Sequence, residues 1–104
     1  MPTYASEFIH APSVGNDEAC RALLDPVTER IVQFYKQKLI EGYDVMVLHD
    51  DEECERQMVE DDWKRVVQPV FPILYVRAQP FPGEDVLHPD VERYLVTEGF
   101  VLVR

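Results

Sequence analysis

Residues 31–53 decide the fold, and they read IVQFYKQKLIEGYDVMVLHDDEE. Their first part carries apolar residues such as Ile31 and Phe34 at the spacing that marks one face of a helix. An apolar run over 45–48 comes next and does not alternate with polar residues, so it predicts a strand covered on both faces. Acidic residues then follow over 50–53, as is common in the first turn of a helix. The stretch therefore predicts a helix, a buried strand and a second helix in succession.

The helical pattern extends back toward the N-terminus. Its apolar stripe comprises Cys20, Leu23, Leu24, Val27, Ile31, Phe34, Tyr35 and Leu39. Asp25 is a good N-cap and proline is favoured at the first helical position, so we expect two helices that meet at Pro26. We expect Gly42 to end the second of them in the left-handed conformation. Residues 3–10 are β-prone at several positions and predict a first strand.

Four further elements are expected toward the C-terminus. They are a helix over 51–68, a strand over 70–77, a short helix over 91–98 and a last strand over 100–104. Pro69 ends the first of these helices, and Asp90 and Gly99 bound the second. Pro72 cannot donate a hydrogen bond within a sheet, so its strand is expected at an edge or a bulge. Residues 78–89 form a proline-rich loop.

The order of these elements predicts the fold class. Strands alternate with helices, which favours β-α-β crossovers and an α/β fold. We expect a single compact domain over 1–104, with a three- to four-stranded mixed or parallel sheet and helices packed on it. The strand that contains the apolar run over 45–48 is predicted over 43–49 and is expected at the centre of that sheet. An antiparallel pairing of 70–77 with 100–104 stays open.

Charge and composition limit the classes of partner and of site that this chain is expected to have. The chain has 20 acidic and 10 basic residues, and a formal net charge of −10 repels nucleic-acid phosphates and anionic membranes. We therefore expect no direct nucleic-acid binding and no membrane attachment. Apolar runs are far shorter than the ~20 residues needed to span a bilayer, and no secretory signal is visible, so we expect a cytoplasmic protein. Cys20 and Cys54 lack the spacing of a zinc site or a disulfide framework and are expected to be reduced.

The residues after the buried strand allow two interpretations. In one, Asp50, Asp51 and Glu52 bind Mg²⁺ and His49 transfers a proton, as in a small phosphoryl-transfer or phosphohydrolase-like enzyme. No basic phosphate clamp and no G-x-x-x-x-G-K-[ST] loop accompanies these residues. In the other, Asp50 or Asp51 caps the next helix, and Glu52 and Glu53 interact with the helix dipole. The second interpretation needs no metal, and we expect no cofactor.

Residues 50–62 carry most of the net charge. They contain eight acidic residues and one basic residue, a net charge of −7. A helix of such one-sided charge steers a basic partner and mimics the phosphates that a nucleic-acid-binding protein expects. Phe81 lies between two prolines and is a candidate aromatic anchor. The expected partner-binding residues are Asp50, Asp51, Glu52, Glu53, Glu55, Glu60, Asp61, Asp62 and Phe81. The apolar residues expected to face the core are Cys54, Met58, Val59, Trp63, Val66 and Val67.

These patterns favour a small acidic interaction protein that is not an enzyme. We expect it to bind and inhibit or regulate a basic protein, for instance one that itself binds nucleic acid. Small acidic folds serve in this way as immunity proteins, antitoxins and phage-type inhibitors. The Mg²⁺-dependent enzyme is one alternative. A structural subunit of a larger assembly, held by an apolar patch, is another.

Overall fold

The helices and strands of the computed structural model follow the predicted order. The structure describes residues 3–6, 16–64 and 71–103. Its elements are β1 (Thr3–Ser6), α1 (Asn16–Lys36), β2 (Gly42–Leu48), α2 (Asp51–Asp61), β3 (Ile73–Gln79), α3 (Pro89–Thr97) and β4 (Phe100–Leu102). The predicted strand residues 7–10, 70 and 104 and the predicted helix residues 65–68 lie outside the described residues. The described residues form an α/β domain with one four-stranded sheet.

The sheet is antiparallel throughout. Its order is β2-β3-β1-β4, and each neighbouring pair runs in opposite directions. The expectation of a mixed or parallel sheet is wrong. Ile73 at the start of β3 pairs with Leu48 at the end of β2, so the chain returns to the end of the sheet from which α2 departs. A helix between two strands therefore does not act here as a parallel crossover.

The positions of β2 and β3 in the sheet are the reverse of those predicted. β3 lies between β2 and β1, whereas β2 pairs with β3 alone among the described residues. Pro72 precedes the first residue of β3, so it removes no hydrogen bond from the sheet. β4 pairs with β1, which lies between it and β3. The last two strands therefore do not pair with each other, a possibility that the sequence left open.

Helices cover both faces of the sheet, as the unbroken apolar run of β2 predicts. The larger core cluster lies on the side of α1 and α3 and includes Val27, Ile31, Phe34, Leu74, Val76, Val91 and Leu95. The smaller cluster lies on the side of α2 and includes Leu48, Cys54, Trp63, Ile73 and Tyr75. Successive side chains of a strand point to opposite faces, so β2 and β3 contribute to both clusters. The result is a sheet between two helical layers.

The first helix continues through Pro26, so the expectation of two helices is wrong. Pro26 lacks the N–H group that would bond to the carbonyl of Ala22. Both residues are exposed, and water can satisfy that carbonyl. Cys20 before the proline and Val27 and Ile31 after it are buried in the same cluster. Burial of this common stripe outweighs the local cost of the proline.

The end of α1 is formed by Lys38 instead of the predicted Gly42. Lys38 has φ 62°, in the left-handed region. Its backbone N–H donates to the Tyr35 carbonyl at 3.1 Å, and the Leu39 N–H donates to the Phe34 carbonyl at 3.0 Å. These two bonds satisfy carbonyls of the last turn in the manner of a Schellman motif. Gly42 is the first residue of β2.

The ends of the other two helices differ in part from the prediction. α2 ends well before Pro69, and Asp62, with φ 53°, follows its last residue in the left-handed conformation. His88 caps α3 in place of Asp90, because the His88 Nδ1 accepts a hydrogen bond from the Asp90 backbone N–H at 3.2 Å. Gly99, with φ 88°, follows α3 as predicted.

Two expectations from composition concern a membrane-spanning segment and the two cysteines. In the described part of the chain, no helix combines the length and the apolar character that crossing a membrane requires. Cys20 and Cys54 are both buried, in the two clusters on opposite faces of the sheet, and no disulfide joins them. Both thiols are therefore core residues.

Candidate functional site

Two hydrogen bonds from backbone N–H groups to carboxylates close the first turn of α2. Asp50 is the N-cap, and its Oδ1 accepts a hydrogen bond from the backbone N–H of Glu53 at 2.8 Å. The Glu53 Oε2 accepts one from the backbone N–H of His49, also at 2.8 Å. The first bond satisfies an N–H group that the helix leaves without an internal partner, and the second reaches the residue before the N-cap. The capping interpretation is confirmed for Asp50, and Asp51 and Glu52 lie in the first turn, at the positive end of the helix dipole.

This arrangement bears on the alternative of a metal-dependent enzyme. Asp50 and Glu53 direct carboxylate oxygens to backbone N–H groups at the start of their own helix. The other residues of that hypothesis, His49, Asp51 and Glu52, are exposed. In the part of the chain that the structure describes, no three His, Cys, Asp or Glu side chains are grouped as a metal site requires. The geometry offers no observation that favours phosphoryl transfer.

Asp61 lies on the inner side of α2 and is buried, with 6% of its surface exposed. Its Oδ1 accepts a hydrogen bond from the Arg77 Nη1 at 2.8 Å, and its Oδ2 accepts one from the Gln57 Nε2 at 2.9 Å. The Arg77 Nη2 donates to the Asp44 Oδ2 at 2.6 Å. The planar guanidinium thus ties α2 to β2 and β3. Asp61 is buried and forms hydrogen bonds within the protein, so it does not form part of a solvent-facing binding surface.

The outer face of α2 presents the remaining acids to solvent. The exposed acidic residues of α2 and of the residue after it are Asp51, Glu52, Glu55, Glu60 and Asp62. Arg56 is also exposed on this helix. Val59 is 83% exposed, so the expectation that it faces the core is wrong. One residue along a helix is a rotation of about 100°, and Met58 takes the inward position that the sequence pattern assigned to both.

A shallow groove of about 500 Å³ lies beside Val59. Its lining residues are Glu55, Met58, Val59, Asp62 and Trp63, and we name it the α2 groove. Val59 is exposed and Met58 is half-buried, so these two side chains supply apolar surface, whereas Trp63 is buried at the groove wall. Glu55 and Asp62 are exposed and supply negative charge. An apolar centre beside polar and charged residues is the usual anatomy of a protein interface.

Phe81 lies away from the acidic helix. It is half-buried and lines one groove with Tyr35 and Ile40 at the end of α1, and another with the loop over 79–85. Neither groove includes a residue of α2. The backbone N–H of Glu84 donates to the Phe81 carbonyl at 3.0 Å, which closes a turn in the proline-rich loop. The structure therefore does not join Phe81 and the α2 acids into one surface.

Arg77 is the functionally informative residue that the sequence patterns did not single out. It is the one charged residue of β3, and its neighbours Val76 and Ala78 are buried. A charge inside an apolar strand needs a partner, because burying an unpaired charge is costly. That rule could have indicated that Arg77 binds a carboxylate. It could not have shown which of the 20 acidic residues supplies it.

Comparisons with known proteins do not identify the chain. No protein-family model, no curated protein and no solved structure matches it. The surface of α2, with its exposed acids and its groove, is therefore the basis on which a function can be inferred.

Proposed function

We propose that this chain is a protein-binding module that docks on a basic protein through the outer face of α2 and so inhibits or regulates that protein. The observation that carries the proposal is the α2 groove, where the apolar surface of Met58 and Val59 adjoins two exposed carboxylates. Carboxylates raise the rate of encounter with a basic surface and set its orientation. The apolar side chains offer the surface that is desolvated on docking.

The groove fits a lysine or arginine side chain in particular. Such a side chain carries an apolar stem and a charged head. The stem can lie along Met58 and Val59 while the head reaches the carboxylate of Glu55 or Asp62, all of which line the groove. Asp61 and Glu53 are committed to hydrogen bonds within the protein, so the proposal assigns them no contact with the partner.

A charge-neutralising variant tests this surface. The triple variant Glu52→Gln, Glu55→Gln and Glu60→Gln removes three exposed carboxylates from α2. The intact chain should retain a stoichiometric basic protein from a host lysate at low salt, and the triple variant should retain about tenfold less of it. Binding of the purified partner, measured by calorimetry at two salt concentrations, quantifies the loss. Higher salt should weaken binding by the intact chain, because the carboxylates are screened.

A matched control separates local charge from net charge. The variant Glu18→Gln, Glu29→Gln and Glu92→Gln makes the same change in net charge at exposed positions of α1 and α3. Its affinity for the partner should stay within about twofold of that of the intact chain. Equal losses in the two triple variants, or no loss in either, would show that the outer face of α2 is not the binding surface.

A further inference from the structure

β2 leaves one of its edges without a partner strand among the described residues. It pairs with β3 at seven successive positions, from Gly42 opposite Gln79 to Leu48 opposite Ile73, without a bulge. Its sequence, GYDVMVL, contains neither proline nor lysine. Bulges, prolines and lysines are the usual devices that keep an edge strand from pairing. β2 therefore presents a regular row of backbone N–H and C=O groups, whereas the other edge strand, β4, has three residues.

The end of this edge near Gly42 and Tyr43 is apolar and aromatic. Tyr43 is 40% exposed and Tyr35 is 46% exposed, and their ring centroids lie 5.5 Å apart in an edge-on contact. Val45 and Val47 continue the same face of β2, and both are half-buried although they pack against the larger core cluster. An added strand would cover the exposed part of these side chains. Apolar residues of that strand are favoured on this face.

The second end of the edge is acidic. Leu48 is followed closely by Asp50, Asp51 and Glu52, all exposed. Both signs of charge occur near the Gly42 end instead, because Lys36 and Lys38 lie beside Glu41 in one groove. Asp44 in the middle of β2 is already paired with Arg77. Positive charge on an added strand is therefore favoured at the Leu48 end.

We propose that the edge of β2 accepts an extended segment of the basic partner as a fifth strand of the sheet. Its apolar residues lie at the Tyr43 end, and its arginines or lysines lie at the Leu48 end. The segment runs antiparallel to β2, as every strand pair of the sheet does. This inference rests on the proposed function, because it describes how the same basic partner is held. A second copy of the chain is disfavoured as the occupant, since each copy carries a net charge of −10.

Three peptides test the proposal on the full chain. The probe begins with two arginines and continues with alternating valine and threonine, which places its charges at the Leu48 end in an antiparallel pairing. One control begins with two glutamates, and the other keeps the arginines but carries a central proline that cannot donate a hydrogen bond. The probe should slow amide exchange within residues 42–48 in a nuclear magnetic resonance experiment. Each control should bind about tenfold more weakly.

A pair of substitutions at the two sheet edges locates the binding. Tyr43→Lys places a positive charge on the edge of β2, and Leu102→Lys does the same on β4, where Leu102 is 50% exposed. The probe should bind about fivefold more weakly to the first variant and within about twofold of normal to the second. The proposal is overturned if no amide within 42–48 is protected at the highest soluble peptide concentration. Equal binding of the probe and of the control with the central proline would also overturn it.

The outcomes distinguish this inference from the proposed function. The variant Glu55→Gln and Glu60→Gln changes α2 but keeps Asp50, Asp51 and Glu52 at the Leu48 end. Protection of β2 by the probe, together with retention of the basic partner that is unchanged in this variant, would support strand addition while contradicting the role of the outer face of α2. Shifts confined to α2, with no protection of β2, would contradict strand addition and leave the α2 surface as the binding site.

Discussion

At the scale of single residues, Tyr75 carries a hydroxyl group that is buried among apolar side chains. The side chain is fully buried in the smaller core cluster. Its hydroxyl and the neighbouring Trp63 Nε1 have no hydrogen-bond partner in the described part of the chain. The two ring centroids lie 6.3 Å apart. A buried hydroxyl without a partner costs roughly 1–3 kcal/mol, so the packing of the ring must outweigh this cost.

Replacing Tyr75 with phenylalanine removes the unsatisfied hydroxyl. We expect Tyr75→Phe to raise the free energy of unfolding by about 1 kcal/mol, because the ring contacts stay and the desolvation cost disappears. Urea unfolding followed by circular dichroism measures the difference. Tyr94→Phe is the control, since Tyr94 is half-buried and its change should stay within about 0.5 kcal/mol. A loss of stability in Tyr75→Phe would mean that the hydroxyl has a stabilising partner.

At the scale of elements, α1 is a single helix although a proline lies inside it. A proline in a helix interior costs about 3 kcal/mol relative to alanine, and part of that is returned because proline also restricts the unfolded chain. We expect Pro26→Ala to raise the free energy of unfolding by roughly 1–3 kcal/mol, as measured by urea unfolding. Pro82→Ala, in the exposed loop, should instead lower it by about 0.5 kcal/mol. Changes of the same sign in both variants would contradict this account of Pro26.

At the scale of the whole molecule, the two helical layers are unequal. The larger cluster is shared by α1 and α3, whereas α2 covers the other face of the sheet without another helix beside it in the described residues. α2 is held by Cys54 and Met58 in the smaller cluster and by the ion pair of Asp61 with Arg77. A region with few buried contacts opens more readily than the rest of a protein. The candidate binding face therefore lies on the less firmly held layer.

Arg77→Met tests how far the ion pair holds this layer. Removing the guanidinium leaves the buried Asp61 carboxylate without its charged partner, and we expect a loss of roughly 1–3 kcal/mol in the free energy of unfolding. Amide hydrogen exchange should accelerate in α2 more than in α1. Arg93→Met breaks an exposed pair with Asp90 and should cost less than about 0.5 kcal/mol. Uniform acceleration across all helices in Arg77→Met would argue against a separately opening α2.

The site could be predicted from the sequence only in part. The charge run over 50–62 identified the acidic helix, and its position after a strand predicted a cap at Asp50 or Asp51, of which the structure has Asp50. The sequence did not separate Asp61, which is buried against Arg77, from the exposed acids beside it. That separation depends on which side of α2 meets the sheet. It also depends on Arg77, which is 16 residues away in the chain.

The sequence by itself determined the order and the type of the elements, because the spacing of apolar residues and the caps act over a few neighbouring residues. It also determined that both faces of β2 are covered. Only the tertiary structure decided the antiparallel pairing, the edge position of β2 and the continuity of α1 through Pro26. Each of these depends on contacts between distant segments, whose burial outweighs local preferences of a few kcal/mol.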